Sequence, residues 1–300
     1  MKLISKQIES KYGKKILFNE TLANYSWFNL GGPSEVFFKP NNIEDITFFL
    51  KNVNPKKITI LGAGSNTLIR DGGVKGITIK LGSQFSYLNL LPSNIIETGA
   101  STLDKKIADF ALANSLTGLE FLACIPGSIG GAIRMNSGCY GEDISKILHS
   151  IKVIDIFGNK KEISSSDIEF YYRESNLDQN LIITSVKLRA NVSSKELIQN
   201  KQRALVEQKK KSQPSQIKTC GSTFKNTKNK KAWELIKESN CENYQIGSAK
   251  ISEKHCNFFV NEGKATAKEL EDLINKVRET VYQKTKINLE LEIKIIGHNS

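Results

Sequence analysis

The sequence predicts a soluble chain that mixes helices with strands and is large enough for two or three cores. Three observations carry this. The 300 residues, 39% apolar and 25% charged, have a globular composition. Short β-type runs alternate with glycine turns and with segments whose apolar residues repeat at helical spacing. No run approaches the roughly 18 apolar residues of a membrane-spanning helix, and the basic N-terminus "MKLISKQIESKYGKKILFNE" lacks the apolar core of a secretory signal. The expected location is the cytoplasm, with no membrane partner.

Taken in order, "SEVFFKP", Ile58 to Leu61 and Ile77 to Leu81 read as strands separated by "GAGSN" and "DGGVKG", with an amphipathic helix in "NNIEDITFFLKN". That alternation makes a mixed α/β unit. After a strand at Ile95 to Thr98, residues Leu103, Ile107, Ala108, Ala111 and Leu112 repeat at helical spacing, and Ser101 or Thr102 is placed to cap the exposed amides. In "CIPGSIGGAIRMNSGCYG" six of eighteen residues are Gly or Pro, so an irregular segment is expected, open enough for a ligand to lie against backbone. "IKVIDIFGNKKEI" reads as a hairpin with positive φ at Gly158-Asn159, and "LIITSVKLRA" as a further strand.

Residues 193 to 214 form a long polar helix ending in a lysine run and Pro214, the expected domain boundary. Beyond it, Thr266 and Glu269 make a capping box, and Leu270, Leu273, Ile274, Val277 and Val281 line one helical face. "NLELEIKIIG" alternates strictly from Leu289 to Ile295, which puts Glu290, Glu292 and Lys294 together on the other face of a strand.

The net charge of +12 suits nucleic acid, a membrane surface or a small anionic substrate. Basic and aromatic residues do not interleave as a base-stacking platform requires, so nucleic acid is not the expected partner. Five cysteines, at 124, 139, 220, 241 and 256, form no C-x-x-C pair, and with three histidines they make no zinc spacing. Reduced thiols and no metal are expected.

Several segments carry candidate chemistry. "LGAGSN" follows a strand, but the dinucleotide fingerprint needs a third glycine opening a helix, and position 67 is Thr. Gly62, Ala63, Gly64, Ser65, Asn66 and Thr67 are then either a backbone cradle for phosphate or a plain turn. "IPGSIGGA" with "MNSGCYG" is a second loop of this kind, and two such loops suggest one extended diphosphate ligand gripped from two sides. Arg173 in "FYYRES" is either a surface ion-pair partner or a planar clamp for a carboxylate or phosphate. Ser222 in "CGSTFKN" lacks the G-x-S-x-G elbow and the Walker pattern, and no histidine stands in a telling context as its base. Glu292 alone is a solvated strand residue.

The series "NLGGP", "ILGAGSNTLIRDGG", "IPGSIGGAIRMNSGCYGEDI", "YYRES", "CGSTFKN", "IGSAKISEKHCNFFVN" and "LELEIKIIG" resembles, in this order, the motifs of the UDP-N-acetylenolpyruvoylglucosamine reductase family, in its shorter form. The likeness runs from about residue 20 to 297. It implies an α+β fold: a two-part FAD-binding domain of the vanillyl-alcohol-oxidase (PCMH) type over 1–200, divided near 85, and a C-terminal α+β substrate-binding domain over 201–300. Two departures stand out. Leu291 replaces the proline of the usual L-E-P-E-V ending, and Ser137 and Cys139 replace the alanines of N-A-G-A-Y-G.

The resemblance implies an FAD enzyme in bacterial cell-wall synthesis, monomeric, using NADPH and a UDP-sugar. Hydride would pass from flavin N5 to the methylene carbon of an enolpyruvyl ether, pushing charge into the adjacent carboxylate. Ser222 is then the proton donor, assisted by Arg173 and Glu292. FAD-binding falls to Gly62 through Thr67 and to Pro126, Gly127, Ser128, Gly130, Gly131, Asn136 and Gly138; substrate-binding falls to Tyr172, Lys225 and Asn226. The rivals are another FAD-dependent oxidoreductase of this fold and a basic nucleic-acid-binding protein.

Overall fold

The computed structural model describes residues 3–53 and 58–299. It divides into two compact units, neither of them a continuous block. The first runs up to Phe18 and adds Val36–Ala63 and Gly76–Lys209; the second joins Asn19–Glu35 and Gly64–Lys75 to the chain from Lys210 onward. Compactness thus divides the chain differently from the linear expectation, because two early segments fold with the C-terminal region. The division falls inside the polar helix Lys195–Ser212.

In the first unit a five-stranded antiparallel sheet has the order Lys160–Ser164, Leu148–Asp155, Leu181–Arg189, Ile95–Gly99 and Leu88–Leu91. Its central strand, Leu181–Arg189, is buried along nearly its whole length, which explains the continuous apolar run "LIITSVKL". Helix Asp104–Ala113 contributes Ile107, Ala108 and Ala111 to the same core. A second core gathers around helix Ile43–Lys51, where Asn42 caps the N-terminus and the Phe38 and Phe49 rings stack 4.0 Å apart. Beside it, Ile58–Ile60 runs parallel to Ile77–Ile79.

Three local expectations need correction here. Neither Ser101 nor Thr102 caps the helix at 104. Leu103 occupies the cap position, while the Ser101 hydroxyl donates to the Gly82 carbonyl and the Thr102 hydroxyl to that of Tyr87. The glycine-rich segment is not irregular throughout: Ile129–Arg134 is a helix. Its burial of Ile129, Ala132 and Ile133 outweighs the weak helical propensity of Gly130 and Gly131. In the hairpin, Gly158 has the left-handed φ of 86°, but Asn159 does not share it. The Asp155 carboxylate accepts from the Phe157 and Asn159 amides and makes the turn longer than two residues.

The second unit is organised by helix Ala267–Thr285. Thr266 and Glu269 form the expected capping box, and Leu270, Leu273, Ile274, Val277 and Val281 are all buried. Each such side chain stabilises by about 1.5–3 kcal/mol when fully buried. They pack with Phe224 and Phe259, whose rings meet edge to face at 5.7 Å. A small antiparallel sheet joins Gln245–Ile246, Ala249–Ile251 and Phe259–Asn261. The last strand is shorter than the alternation predicts: only Lys294–Ile296 is regular, and it pairs in parallel with Thr67–Ile69. Leu289 and Ile293 are nonetheless buried, as the alternation requires.

Gly32 shows why this unit needs glycine at a close approach, since a Cβ there would lie 2.0 Å from the Asp71 carbonyl oxygen. The Asp71 carboxylate in turn accepts from the backbone amides of Ala267 and Lys268, both at 2.9 Å. It places an anion on the exposed amides at the start of the long helix. Replacing Asp71 with alanine is expected to lower stability by about 1–2 kcal/mol, read as a shift of the urea midpoint at unchanged slope. An unmoved midpoint would show that this cap contributes nothing.

Candidate active site

The candidate residues fall in both units, and each unit presents a distinct geometry. In the first, Gly62 and Ser128 are neighbours: a Cβ on Gly62 would meet Ser128 Oγ at 3.4 Å. Ser128 precedes helix Ile129–Arg134 and bridges to Leu103, while the Gly130 amide donates to the Ala100 carbonyl at 2.9 Å. That contact makes Gly130 a packing glycine, because a Cβ on it would lie 3.0 Å from the Ala100 oxygen. Gly131 differs. A Cβ there would meet only Ser128 Oγ, at 3.9 Å, so its backbone borders open space.

Asn136 and Gly138 lead from this helix to Arg173. Asn136 is buried, accepts from the Ser145 amide at 3.0 Å and donates to the Tyr171 carbonyl at 3.1 Å, so it shapes the "FYYRES" turn. Arg173 sits in the left-handed region, with φ of 59°. Its guanidinium donates to the Gly138 carbonyl at 2.8 Å and lies over the Tyr172 ring at 4.9 Å. This is the stacked, donor-rich use of arginine that lysine does not reproduce. Asn136, Asp143, Ser145, Tyr172 and Arg173 are among the residues that line a cleft of about 290 Å³.

In the second unit, Gly64 to Thr67 of the first glycine loop meet the other candidates. Ser222 bridges to Phe258, and the next residues run beside 290–292: the Glu292 amide donates to the Thr223 carbonyl at 2.8 Å, and the Lys225 amide to that of Glu290 at 2.8 Å. Asn257 locks the same stretch, accepting from the Phe224 amide and donating to the Phe224 carbonyl. Asn66 holds the other side. Its Nδ2 donates to the Glu292 carbonyl at 3.0 Å, and its own carbonyl accepts from the Lys294 amide at 2.9 Å.

Cys220 is buried, with Sγ 3.5 Å from the Gly64 and Thr67 carbonyls, and burial pushes its thiol up to about 12. It packs the loop and has little thiolate to offer at neutral pH. The Lys225 ammonium lies 3.8 Å from Glu290. Asn226 has a structural duty that its sequence context did not reveal: its Oδ1 accepts from the Ala232 amide at the start of helix Ala232–Glu238.

Lys80 is a candidate that sequence reasoning missed. Its ammonium donates to the Gly62 carbonyl, and burial, together with the nearby Lys39 charge, brings its pKa down to about 8. The available signal was a single lysine inside the apolar strand run "ITIKL". Asp104 is the second missed group. Its amide donates to the Gly127 carbonyl, and its carboxyl is fully buried, with neither oxygen hydrogen-bonded among the described residues. Burial raises its pKa well above the ordinary value and so favours the neutral acid.

Comparison with known proteins bears directly on these loops. Residues 34–163 match a family model described as an FAD binding domain, and residues 213–296 match the C-terminal domain of UDP-N-acetylenolpyruvoylglucosamine reductase. A relative of that name from Pelagibacter ubique is 45% identical over 97% of this chain and 98% of its own length. The chain belongs to the UDP-N-acetylenolpyruvoylglucosamine reductase family. A reductase of the same name from Wolbachia pipientis is 42% identical over 93% of this chain and 95% of its own length. The crystal structure of the reductase from Thermus caldophilus superposes with a TM-score of 0.82 at 29% identity, covering 94% of this chain and 98% of that one. The α+β fold with an FAD-binding domain is that of this reductase family.

The residues present fit FAD. Gly62 and Gly131 leave backbone bare around Ser128, and Lys80 brings an ammonium to the Gly62 carbonyl, the chemistry a diphosphate needs. Asp104 offers a pH test of the same region. Its unfolded value is near 3.8 and its folded value is higher, so as pH rises above 3.8 the unfolded chain ionises first and stability falls. Asp104→Asn removes that titration. The variant's stability relative to the parent is expected to rise as pH increases above about 4, followed by denaturant titration; a difference independent of pH would contradict the raised pKa of the buried acid.

Proposed function

We propose that this protein reduces UDP-N-acetylglucosamine enolpyruvate to UDP-N-acetylmuramate with NADPH, a step of peptidoglycan synthesis, as a cytoplasmic monomer. Family membership supplies the substrate and the reaction. One observation in this chain carries the assignment of residues: the segments bearing Ser222 and Glu292 run side by side, joined through the Glu292 amide and the Thr223 carbonyl at 2.8 Å.

When bound, FAD supplies the hydride that the methylene carbon of the substrate receives after NADPH has delivered it. Addition of hydride to one carbon of a C=C bond leaves electron density on the other carbon and its carboxylate. Ser222 gives that carbon a proton. A hydroxyl is a weak acid in water, but a carbanion-like partner is basic enough, and placement then decides the rate. Glu292 hydrogen-bonds the developing charge, directly in its protonated form or through a water it holds. Arg173 pairs its planar guanidinium with the carboxylate. Tyr172, Lys225 and the side-chain N–H groups of Asn226 contact the UDP-sugar. Gly62 through Thr67, Pro126, Gly127, Ser128, Gly130, Gly131, Asn136 and Gly138 hold FAD, with Lys80 placed to meet its diphosphate.

The purified protein is expected to be yellow and to bleach on addition of NADPH. Ser222→Ala should bleach at the parent's rate, while reoxidation by the enolpyruvyl substrate slows by roughly 10²–10⁴-fold, the usual worth of a placed proton donor. Stopped-flow absorbance resolves the two half-reactions, and near-parental reoxidation would remove Ser222 from the role. Glu292→Gln should likewise spare bleaching and slow reoxidation by roughly 10²–10³-fold; a loss confined to NADPH oxidation would count against it. A colourless protein with steeply salt-dependent DNA binding would instead favour the basic nucleic-acid reading.

A further inference from the structure

Ser222 is held by a hairpin loop that contains one of the three histidines of the chain. The antiparallel strands Ala249–Ile251 and Phe259–Asn261 are joined through residues 252–258, and the Ser252 amide closes that loop on the Phe258 carbonyl at 2.8 Å. The segment bearing Ser222 lies against the outgoing side of the hairpin: Lys218 bridges to Asn261, and Ser222 to Phe258. Asn257 fastens the next two residues. Its carbonyl accepts from the Thr223 amide at 2.8 Å, and its side chain accepts from the Phe224 amide and donates to the Phe224 carbonyl. Where the loop places residues 257 and 258, Ser222 follows.

One side chain inside the loop sets its shape. The Asn257 backbone amide belongs to a residue only 3% exposed, so it needs an acceptor within the protein. It donates to Nδ1 of His255 at 3.3 Å. The His255 ring meets the Phe258 ring edge to face at 4.8 Å, and the His255 carbonyl accepts from the Phe258 amide at 2.9 Å. Both residues that hold the Ser222 segment, Asn257 and Phe258, thus rest on His255. An imidazole nitrogen that accepts an N–H carries no proton, so the ring is neutral with its proton on Nε2. Burial lowers the pKa of His255 and favours the same neutral form. His298 shows the opposite arrangement, with Nδ1 2.8 Å from the Gly73 carbonyl oxygen, a partner that can only accept.

We propose that His255, as its neutral Nε2–H tautomer, is a positioning residue for Ser222: its Nδ1 fixes Asn257, its ring fixes Phe258, and these two place the segment that carries the serine hydroxyl. The proposal rests on the reading of Ser222 as the proton donor. His255 itself passes no proton to the substrate in this role. Proton delivery to carbon depends on placement, and a displacement of about 1 Å in a reacting group costs on the order of 10²-fold. The loop requires an acceptor at the reach of Nδ1, two residues before the amide it serves, and the Oδ1 of an asparagine offers the same bond. Glutamine, longer by one methylene, carries its amide out to where Nε2 stands and leaves the Asn257 amide without its acceptor.

The test combines NMR with stopped-flow absorbance on the full-length protein. In a long-range proton–nitrogen spectrum of histidine-labelled protein, His255 is assigned from the signals that His255→Asn removes. It should show a bare Nδ1 and a protonated Nε2 at neutral pH, with His298 giving the opposite pattern in the same spectrum. His255→Ala, His255→Gln and His255→Asn should all bleach with NADPH at the parent's rate. Reoxidation by the enolpyruvyl substrate should slow by roughly 10–10²-fold in the alanine and glutamine variants, and recover most of that loss in the asparagine variant. Equal reoxidation rates in the asparagine and glutamine variants would overturn the proposal, as would a loss shared equally by bleaching. The two readings fail separately: parental reoxidation in Ser222→Ala removes the proton donor, whereas a protonated Nδ1 on His255 removes the positioning contact whatever Ser222 does.

Discussion

Asn66 ties the first glycine loop to a segment 226 residues further along the chain, and the second unit depends on that tie. Its side-chain amide donates to the Glu292 carbonyl and its own carbonyl accepts from the Lys294 amide, so residues 292 and 294 are gripped from one residue. The parallel pairing of Thr67–Ile69 with Lys294–Ile296 continues from there, and the Cys220 thiol reaches the Gly64 and Thr67 carbonyls from the other side. Closing so long a loop costs entropy that grows only with the logarithm of its length. The apolar face of helix Ala267–Thr285, buried in the same unit, is the larger opposing term. The position of Glu292 is therefore set by a backbone-to-amide clamp.

This is also where the sequence was least legible. The long helix could be read almost residue by residue, because its cap and apolar face are local and periodic: Thr266, Glu269 and Leu270 through Val281 all stand as their spacing requires. The loops could be found but not shaped. Six glycines and prolines concealed helix Ile129–Arg134, since burial of Ile129 and Ile133 is a tertiary gain that propensity does not contain. Asn226 also accepts from the Ala232 amide at a helix start, and Asn136 also braces the Tyr171 turn, structural duties that their sequence context does not show. Short polar side chains bond neighbouring backbone readily, and only the folded chain shows which backbone that is. The interleaved units could not be seen either, because segments 19–35 and 64–75 carry no periodicity that points to residues beyond 210.

The first unit shows a different economy. Asp104, Lys80 and Lys209 are each driven toward the neutral form, with burial as the leading cause in every case. Each also meets the backbone of a glycine-rich segment: Asp104 through its amide at Gly127, Lys80 at Gly62, and Lys209 at Cys124. Buried ionisable groups are costly unless something compensates them. The two lysines donate to backbone carbonyls, and the carboxyl oxygens of Asp104 have no hydrogen-bond partner among the described residues.

The proposed anionic diphosphate is consistent in sign with these shifts. An ionised Asp104 near the Gly127 backbone would repel it, and burial favours the protonated acid. Lys80, lowered to about 8, is still mostly charged near pH 7, and an opposite charge within about 4–6 Å would favour that form further. The unit that offers bare backbone at Gly62 and Gly131 therefore also holds an acid shifted toward its neutral form and a base that is largely charged. A surface turn needs neither property. Together they give the glycine spacing of "LGAGSN" and "IPGSIGGA" a physical reason that each motif lacked when read alone.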